Sequence, residues 1–390
     1  MNKLNELIHT LCPKGVIYRE LREISEMKRG TSVTKKDITV GDIPVISGGK
    51  DPAYFCDTFN RSGETITVAG SGAGAGFVQY WTIPIFVCDA FTVKGCKDVS
   101  TKYLYYCLTN MQERIYSTKK GGGVPHVHIS SIETFKIPVP PLVVQDEIVR
   151  ILDNFTELTA ALTVELTAEL TARNKQYEYY REKILSRTND AEQYALQDIV
   201  ADCCSISYGI VQTGDDVENG IPVVRPVDLA DKTVSLKGLK RVAPSIAESY
   251  KRTILQGGDL LLCVRGTTGV ISIASDELKG CNVSRGIVPL TFKSTVCPQY
   301  IYYQFLSQGI QKEIESKTRG AALKQINMED LRQIRFPVPT LEVQQQIVSI
   351  LDRFDALCDD ITSGLSAEIE ARQKQYEYYR DKLLTFKQLC

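Results

Sequence analysis

The sequence is poor in the residues and spacings that mark several kinds of catalytic or metal site. Its 390 residues include three histidines and twelve cysteines, and no two cysteines have the C-x-x-C spacing of a zinc or redox site. We therefore expect no metal site, and we interpret the cysteines as reduced core residues, with disulfides as a minor alternative. The sequence also has no P-loop, no Asn-Pro-Pro-aromatic motif and no recognisable metal-nuclease signature.

Long apolar segments are also missing. No run approaches the roughly 20 apolar residues that cross a bilayer, and the first residues, MNKLNELIHTLCPKG, have no apolar core of signal-peptide length. We therefore expect a cytoplasmic protein with no membrane partner. A chain of 390 residues that is 43% hydrophobic and 24% charged is expected to form two or three globular domains.

An excess of charge of either sign is lacking as well. The net charge is −1, with +4 over residues 1–137, −2 over 138–187, 0 over 188–336 and −3 over 337–390. The bias is weak, so a surface that binds a polyanion would have to be a local basic patch.

One block of fifty residues is present twice. Residues 138–187 and 337–386 align at an offset of 199 without a gap, and 28 of the 50 positions are identical. The heptapeptide KQYEYYR recurs intact at residues 175–181 and 374–380. A duplicated chain of this kind favours a pseudo-two-fold arrangement.

Each copy of the block follows a segment of very different sequence, so we predict two similar mixed α/β domains, an α+β class, with two long helices. The predicted segments are a first domain over residues 1–137, a first long helix over 138–187, a second domain over 188–336 and a second long helix over 337–390.

Apolar residues in both blocks recur at spacings of three, four or seven, which predicts a long helix in each. The first would run from Leu142 to Leu185, about 66 Å at 1.5 Å per residue. Such a stripe is unstable on a lone helix, so we expect the two helices to pair antiparallel; packing on their own domains is the alternative. The predicted helix-pair or partner interface is Phe155, Leu158, Leu162, Leu166, Leu170, Tyr177, Tyr180, Phe354, Leu357, Ile361, Leu365, Ile369, Tyr376 and Tyr379.

A shorter repeat lies inside the first block. The dipeptide Leu-Thr recurs every four residues from Leu158 to Thr171. The tract is either ordinary coiled-coil sequence or an adjustable ruler, because each added tetrapeptide lengthens a helix by about 6 Å.

The segments between the blocks contain short β-rich runs separated by glycine-rich turns. In the first segment we predict strands at Ile43–Ile46, Thr65–Ala69, 77–81 and 85–87, then a helix over 102–116. The tract GSGAGAG at residues 70–76 does not satisfy G-x-G-x-x-G, so we predict a tight hairpin there instead of a dinucleotide loop. The second segment repeats this plan with different residues.

Several of these patterns resemble the specificity subunit of type I restriction–modification systems. They include GDIPVISGGKDPAYF, GETITVAGSGAGAGFVQYW, KKGGGVPHVHIS, the Leu-Thr tract ending in KQYEYYR, and in the second half SYGIVQTGDDVENGIPVVR and GDLLLCVRGTTG. The resemblance covers nearly the whole chain. It implies a non-catalytic subunit whose two target-recognition domains each read half of a split site in double-stranded DNA.

The same resemblance implies partners and cofactors. The helix pair would set the spacer between half-sites and dock two methyltransferase subunits, and restriction subunits would complete the nuclease. This chain would hold no cofactor, whereas S-adenosylmethionine would bind the methyltransferase, and ATP and magnesium the restriction subunit.

Candidate DNA contacts are basic or polar residues beside glycine, where backbone N–H groups and cations can approach phosphate. A solvated helix end with a glycine cap, or an ordinary surface arginine, is the alternative. The candidates are Lys28, Arg29, Ser47, Gly48, Gly49, Lys50, Ser71, Gly72, Lys119, Lys120, Gly121, Gly122, His126, Tyr208, Gln212, Arg225, Arg265, Gly266, Arg285, Lys317, Arg319, Gly320 and Lys324.

Two other functions remain open from the sequence. A stand-alone DNA methyltransferase or nuclease with fused recognition domains would need a catalytic motif, and a nuclease motif can be cryptic. A coiled-coil scaffold that binds no DNA would account for the helices but not for two divergent domains of one fold.

Overall fold

The computed structural model describes residues 2–33, 39–121, 123–320 and 323–389. The chain divides into two compact units, one made of Met1–Thr167 with Leu365–Cys390 and the other of Ala168–Gly364. Both divisions fall inside long helices, so each unit combines a globular part with segments of the two helices. The four-segment division made from the sequence stays a prediction.

The first unit contains a four-stranded sheet, a three-stranded sheet and a two-stranded pair, with helices packed around its larger hydrophobic cluster. Its elements are α1 (Asn2–Leu11), β1 (Ile17–Glu20), α2 (Leu21–Ile24), β2 (Ser25–Arg29), β3 (Ile43–Ile46), β4 (Tyr54–Cys56), β5 (Thr65–Ala69), β6 (Val78–Trp81), β7 (Phe86–Val87), β8 (Ala90–Gly95), α3 (Thr101–Asn110), α4 (Gln112–Tyr116), α5 (Ile129–Ile132), β9 (Lys136–Val139) and α6 (Leu142–Leu185). The sheets have the strand orders β2-β8-β5-β6 and β4-β3-β7, and β1 pairs with β9. The hairpin predicted between β5 and β6 is confirmed by their antiparallel register.

The second unit repeats this topology except at one edge strand of the four-stranded sheet. Its elements are β10 (Gln193–Ala195), α7 (Leu196–Ile199), β11 (Ile221–Val224), β12 (Thr233–Val234), β13 (Lys240–Val242), α8 (Pro244–Glu248), β14 (Leu260–Cys263), β15 (Ile271–Ala274), β16 (Asn282–Val283), β17 (Ile287–Leu290), α9 (Pro298–Phe305), α10 (Gln308–Lys317), β18 (Thr318–Arg319), β19 (Gln325–Ile326), α11 (Met328–Arg332), β20 (Arg335–Pro337) and α12 (Leu341–Leu384), with 3-10 turns at Ser186–Thr188, Pro226–Asp228, Lys251–Thr253 and Asp276–Leu278. The sheet β13-β11-β16 corresponds to β4-β3-β7, and the strands β15-β14-β17 correspond to β6-β5-β8. The fourth strand differs, because β12 pairs parallel with β15 whereas β2 pairs antiparallel with β8. The predicted α+β class, with two similar domains and two long helices, is confirmed.

The two registers establish which residues are equivalent. Ile66 pairs with Val93 in the first unit, and Leu260 pairs with Leu290 in the second. Likewise, β3 runs parallel to β7, and β11 runs parallel to β16. The duplication therefore includes the sheets, where the two sequences differ most, as well as the helices.

A buried glutamine ties each domain to the start of its long helix. Gln145 donates to the Pro140 and Asp98 carbonyl oxygens, at 2.8 and 3.0 Å, and accepts from the Ser100 N–H at 2.9 Å. It is fully buried. Because a buried amide must use its hydrogen-bonding atoms, this side chain fixes the turn that leads into α6.

Gln344 forms the same tie in the second unit. It donates to Pro339 and Thr295 at 2.8 and 3.2 Å and accepts from the Cys297 N–H at 2.8 Å, again with no exposed surface. The tyrosines Tyr103 and Tyr300 complete the duplication, each donating to a proline carbonyl at 2.9 Å. The polar frame is thus the same in both domains.

The long helices pack both on their domains and on each other within each unit. In the first unit Ile148 and Leu152 enter the core, while the Phe155 ring stacks on Tyr379 at 5.6 Å and Thr156 bonds Tyr376. Residue numbers in α12 fall as residue numbers in α6 rise, so the two helical segments run antiparallel. The expected antiparallel pairing is confirmed inside this unit, and packing on the domain accompanies it.

In the second unit the two helices exchange roles, so that α12 enters the core and α6 supplies the tyrosines that pack on it. Ile347 and Leu351 of α12 enter its core. Tyr180 stacks on Phe354 at 6.0 Å, and the Tyr177 hydroxyl donates to Asp355.

Not every residue of the predicted stripe is covered. Leu158 is 67% exposed, Leu357 is 59% exposed, and Ile361 and Tyr180 are also exposed, whereas Leu162, Leu166, Leu170, Leu365 and Ile369 are half-buried. Residues four apart on an α-helix are rotated by about 40°, so a strict four-residue repeat drifts off a single contact line. A two-helix pair cannot cover such a stripe completely.

Two expectations need correction. The helix predicted over 102–116 is interrupted at Met111, because the Gln112 side chain bonds the Gly76 carbonyl and the Val78 N–H and holds the start of α4 against the β5–β6 turn. The cysteines of the described residues are unpaired, as expected, but Cys96 and Cys203 are exposed and do not belong to a core. Within the described ranges, no helix has the length and apolar character needed to cross a bilayer.

Replacement of Gln344 by leucine tests the glutamine tie. We expect Gln344→Leu to destabilise the protein by about 1–3 kcal/mol for each buried backbone group left unpaired, as measured by urea unfolding. Gln346→Leu, two residues further along the same helix and exposed, is the matched control. Equal effects of the two changes would contradict a specific role for the buried amide.

Candidate nucleic-acid interface

Three separate segments of the first domain meet beside the end of β5. Ser71 forms a β-bridge with His126, and His126 forms a second bridge with Lys120 through hydrogen bonds of 2.9 and 2.8 Å. The Gly72 N–H donates to the Pro125 carbonyl at 3.0 Å. We call the surface formed by residues 71–72, 120–121 and 126 the first three-segment surface.

The second domain has the same arrangement. Arg265 bridges Gln325, Gln325 pairs with Arg319, and the Gly266 N–H donates to the Lys324 carbonyl at 2.8 Å. Lys120 and Arg319, like His126 and Gln325, differ by the offset of 199 that relates the repeated blocks. Residues 265–266, 319–320 and 324–325 form the second three-segment surface.

Two glycines make the tight turn of each surface possible. Gly121 and Gly320 have φ of +109° and +105°, a left-handed conformation that side-chain-bearing residues rarely adopt. A Cβ on Gly320 would lie 2.3 Å from the Leu323 carbonyl oxygen, and one on Gly121 would lie 2.6 Å from that of Val124. The turns therefore require glycine, and they leave backbone and cation accessible together. Gly122, also a candidate, lies outside the described residues.

Cations of different chemistry occupy equivalent positions of the two surfaces. Lys120 is exposed, and the Arg319 side chain is 82% exposed, with its nearest carboxylate, Asp330, at 3.9 Å. A lone ion pair at that distance and exposure contributes little, so the Arg319 guanidinium is available to a ligand. Lys119 instead lies over the Tyr116 ring at 4.2 Å, and Lys317 lies 3.8 Å from Glu313.

Other candidates of the first domain border the first three-segment surface. Gly48 packs so closely on Ser71 that a Cβ there would lie 2.1 Å from the Ser71 carbonyl oxygen. Lys50 lies over the Phe77 ring at 5.3 Å, with Ser47 and Gly49 in the same loop. Arg29 lines a cleft of about 230 Å³ together with His126 and His128, whose rings stack at 5.9 Å.

In the second domain the segment that carries Tyr208 and Gln212 meets Arg285. Ile210 bridges Ser284, and the Arg285 N–H donates to the Ile210 carbonyl at 2.7 Å. Tyr208, Gln212 and Arg285 are exposed. Their backbone contacts leave the three side chains on the surface.

Two candidates are engaged by carboxylates of their own domain. Arg225 binds Asp228 through Nε and Nη2, at 3.1 and 2.9 Å, and these hydrogen bonds raise the pKa of the guanidinium. Lys28 lies 2.6 Å from Glu26. The fork of Arg225 that would read a guanine is thus already occupied.

Gln325 and Asp89 were not among the predicted DNA contacts. Gln325 lies at the offset of 199 from His126, so the repeat contains a signal for it. Asp89, which borders the same cleft as Arg29, gave no signal because its proximity to Ser71 depends on strand register.

Comparison with known proteins decides the family. Residues 13–172 and 201–371 match the family described as the type I restriction modification DNA specificity domain. The chain belongs to this family of type I restriction–modification specificity subunits. It is therefore a DNA-recognition component and not the catalytic part of such a system.

Relatives match this specificity subunit over almost its whole length. The specificity subunit of the type I restriction enzyme EcoR124I/EcoR124II of Escherichia coli is 31% identical, with 99% of this chain and 98% of that protein covered. The protein S.HindORF215P of Haemophilus influenzae is 30% identical, with 89% of each chain covered.

Solved structures share the fold. A chain solved in work on complex assembly and conformational transition of the type I R-M system has a TM-score of 0.69 at 17% identity, covering 95% of this chain and 98% of that one. The HsdS subunit of Thermoanaerobacter tengcongensis has a TM-score of 0.50 at 16% identity, with 96% and 97% covered. At these identities the likeness concerns the fold alone.

The exposed arginine of the second three-segment surface gives a direct test of phosphate contact. We expect Arg319→Ala to weaken DNA binding of the assembled complex to a similar extent on all sequences. The slope of log affinity against log salt should become shallower by about 0.9, since one released counterion is lost. Lys279→Ala, which removes an exposed charge from another part of the same domain, should leave the slope unchanged. A loss confined to one base position would contradict the phosphate assignment.

Proposed function

We propose that this specificity subunit reads a bipartite, asymmetric DNA site, with one recognition domain on each half. The observation that carries the proposal is the pair of three-segment surfaces, which share backbone hydrogen bonds but differ in side chains. Shared backbone geometry would let both domains approach DNA in the same way, with Lys120 and Arg319 on phosphate. Ser71 and His126 in the first domain, and Arg265 and Gln325 in the second, would contact different bases. Two like domains can dock equivalently on a duplex whose backbone has two-fold symmetry.

The chemistry of each surface suits DNA. Glycine turns bring backbone N–H groups and a cation to one place, and that combination binds phosphate oxygens. Arginine and glutamine are also the side chains that pair with two atoms of guanine and adenine in the major groove. Arg265 and Gln325 are bridged to each other, so the second surface presents both kinds of base reader side by side.

The helices supply the proposed partner surface. Tyr179 and Tyr378 occupy the same position of the KQYEYYR heptapeptide, and each is 61% exposed. Each forms an edge-on pair with the next tyrosine at 5.4 Å and 72°. Exposed aromatic side chains are typical anchors of protein interfaces. An equally exposed tyrosine at the same position of both copies supports two copies of one partner, which we take to be the methyltransferase subunit.

The remaining parts of the proposed complex lie outside this chain. Restriction subunits would join to complete the nuclease, and the complex would act on cellular DNA in the cytoplasm. S-adenosylmethionine would be bound by the methyltransferase, and ATP and magnesium by the restriction subunit, with no cofactor held by the specificity subunit itself.

A DNA-binding assay with and without the methyltransferase partner tests the function. We expect sequence-selective, salt-sensitive binding from the complex and no methyl transfer by the purified chain alone. The double change Tyr179→Ala and Tyr378→Ala should weaken partner binding and, with it, selective DNA binding. Methyl transfer by the chain alone would support an enzyme instead, and absence of DNA binding in both conditions would support a scaffold.

The Leu-Thr tract gives a separate prediction about spacing. The tract lies within α6, and one further tetrapeptide inserted after Leu170 adds about 6 Å of helix. We expect the accepted spacer to lengthen by roughly one to two base pairs, while both half-site sequences stay the same. The readout is modified-base sequencing of host DNA. Val164→Ala, an exposed change that keeps the length of the tract, is the control. Altered half-sites would contradict the ruler.

A further inference from the structure

An exposed carboxylate stands beside the first three-segment surface. Asp89 lies in the connection between β7 and β8 and lines the same cleft as Arg29, His126 and His128. The Gly70 N–H donates to the Asp89 carbonyl oxygen at 3.0 Å, and the Ser71 hydroxyl donates to its carboxylate. Backbone and side chain of Asp89 are therefore both held in place.

Asp89 lacks the cationic partner that a purely structural carboxylate would have. Among the described residues it forms no ion pair, although Arg29 and two histidines line its cleft. A carboxylate on a DNA-facing surface is repelled by phosphate. It is retained without penalty only where it faces a hydrogen-bond donor, and in the major groove such donors are the amino groups of base edges.

The second domain carries the opposite charge in the corresponding connection. The Cys88 N–H donates to Ile46, and the Ser284 N–H donates to Val224 in the equivalent way, at 2.8 and 2.9 Å. The connection is one residue longer in the second domain, and the additional residue is Arg285, which is exposed.

The next contact shows where that additional residue falls. The Gly70 N–H donates to the Asp89 carbonyl, and the Val264 N–H donates to the Gly286 carbonyl in the same way. Arg285 therefore lies between two equivalent positions. The connection in the first domain thus ends in the acceptor Asp89, and the connection in the second domain carries the donor Arg285. Each lies beside a three-segment surface of the same backbone geometry.

We propose that Asp89, oriented by Ser71, is a specificity-determining residue that accepts a hydrogen bond from the N4 amino group of a cytosine in the half-site of the first domain. This proposal rests on the proposed function. Cytosine is favoured over adenine because adenine presents the N7 acceptor next to its amino group, which would repel a carboxylate, whereas cytosine presents only the donor. Arg285 would in the same way favour guanine in the other half-site.

Exchange of the carboxylate for an amide provides the test. The complete complex carrying Asp89→Asn or Asp89→Ala is compared with the unchanged complex by modified-base sequencing of host DNA and by competition with duplexes that differ at single positions. For Asp89→Ala we expect discrimination at one cytosine position of one half-site to fall roughly tenfold, within the range of a single base contact. For Asp89→Asn we expect adenine to be accepted there, because an amide pairs with both N6 and N7.

Control variants distinguish a failure of the Asp89 proposal from a failure of the proposed function. Asp57→Asn, an exposed change directly after β4 in the same domain, should leave the motif unchanged. Ser71→Ala keeps the charge but removes the orienting hydroxyl, and it should weaken discrimination at the same position. The proposal would be overturned if the Asp89 variants left the motif unchanged or altered the other half-site instead. It would also be overturned if Asp89→Ala, Asp89→Asn and Ser71→Ala all lost nonspecific binding even at low salt. Absence of a bipartite motif for the unchanged complex would instead overturn the proposed function.

Discussion

The buried glutamine at the base of each long helix is the contact on which the rest of each unit depends. Gln145 and Gln344 each bind two carbonyl groups and one N–H where the chain turns from the last strand of the domain into the helix. A fully buried amide tolerates no loss of these bonds, so the direction of the helix relative to its domain is tightly defined. The same bonds in both copies keep the recognition surfaces on an equivalent frame while their sequences diverge.

The shared backbone geometry explains how one fold can present two different sets of surface side chains. The three-segment surfaces depend on backbone hydrogen bonds and on the glycines Gly121 and Gly320, which constrain the main chain but not the neighbouring side chains. Equivalent positions can therefore carry different side chains on the same backbone, such as Lys120 and Arg319, or His126 and Gln325. Recognition built in this way can vary by substitution at the surface, because stability is supplied by the core and by the glutamine tie.

The first long helix was predicted to the residue, from Leu142 to Leu185, because prolines precede a sustained apolar stripe. The second was predicted only as the segment 337–390, of which Leu341–Leu384 is helical. The sequence also identified the hairpin at residues 70–76. It did not predict the exposure of Leu158 or Leu357, because every leucine of a four-residue repeat looks alike until a partner helix defines one face.

Hydrophobic periodicity could not predict side-chain contacts between segments that are distant in the sequence. The break at Met111 depends on Gln112 reaching the β5–β6 turn, and the importance of Asp89 depends on a strand register that brings it to Ser71. The engagement of Arg225 by Asp228 is a local exception. The carboxylate lies three residues along the chain, so this ion pair does have a signal in the sequence.

If two domains of one backbone geometry read two different half-sites, the modified bases in host DNA should show it. Modified-base sequencing of DNA from a host that expresses this chain with its methyltransferase partner is the experiment. We expect one motif with two unlike specified parts separated by a fixed number of unspecified base pairs. A continuous motif, or two identical half-sites, would contradict it.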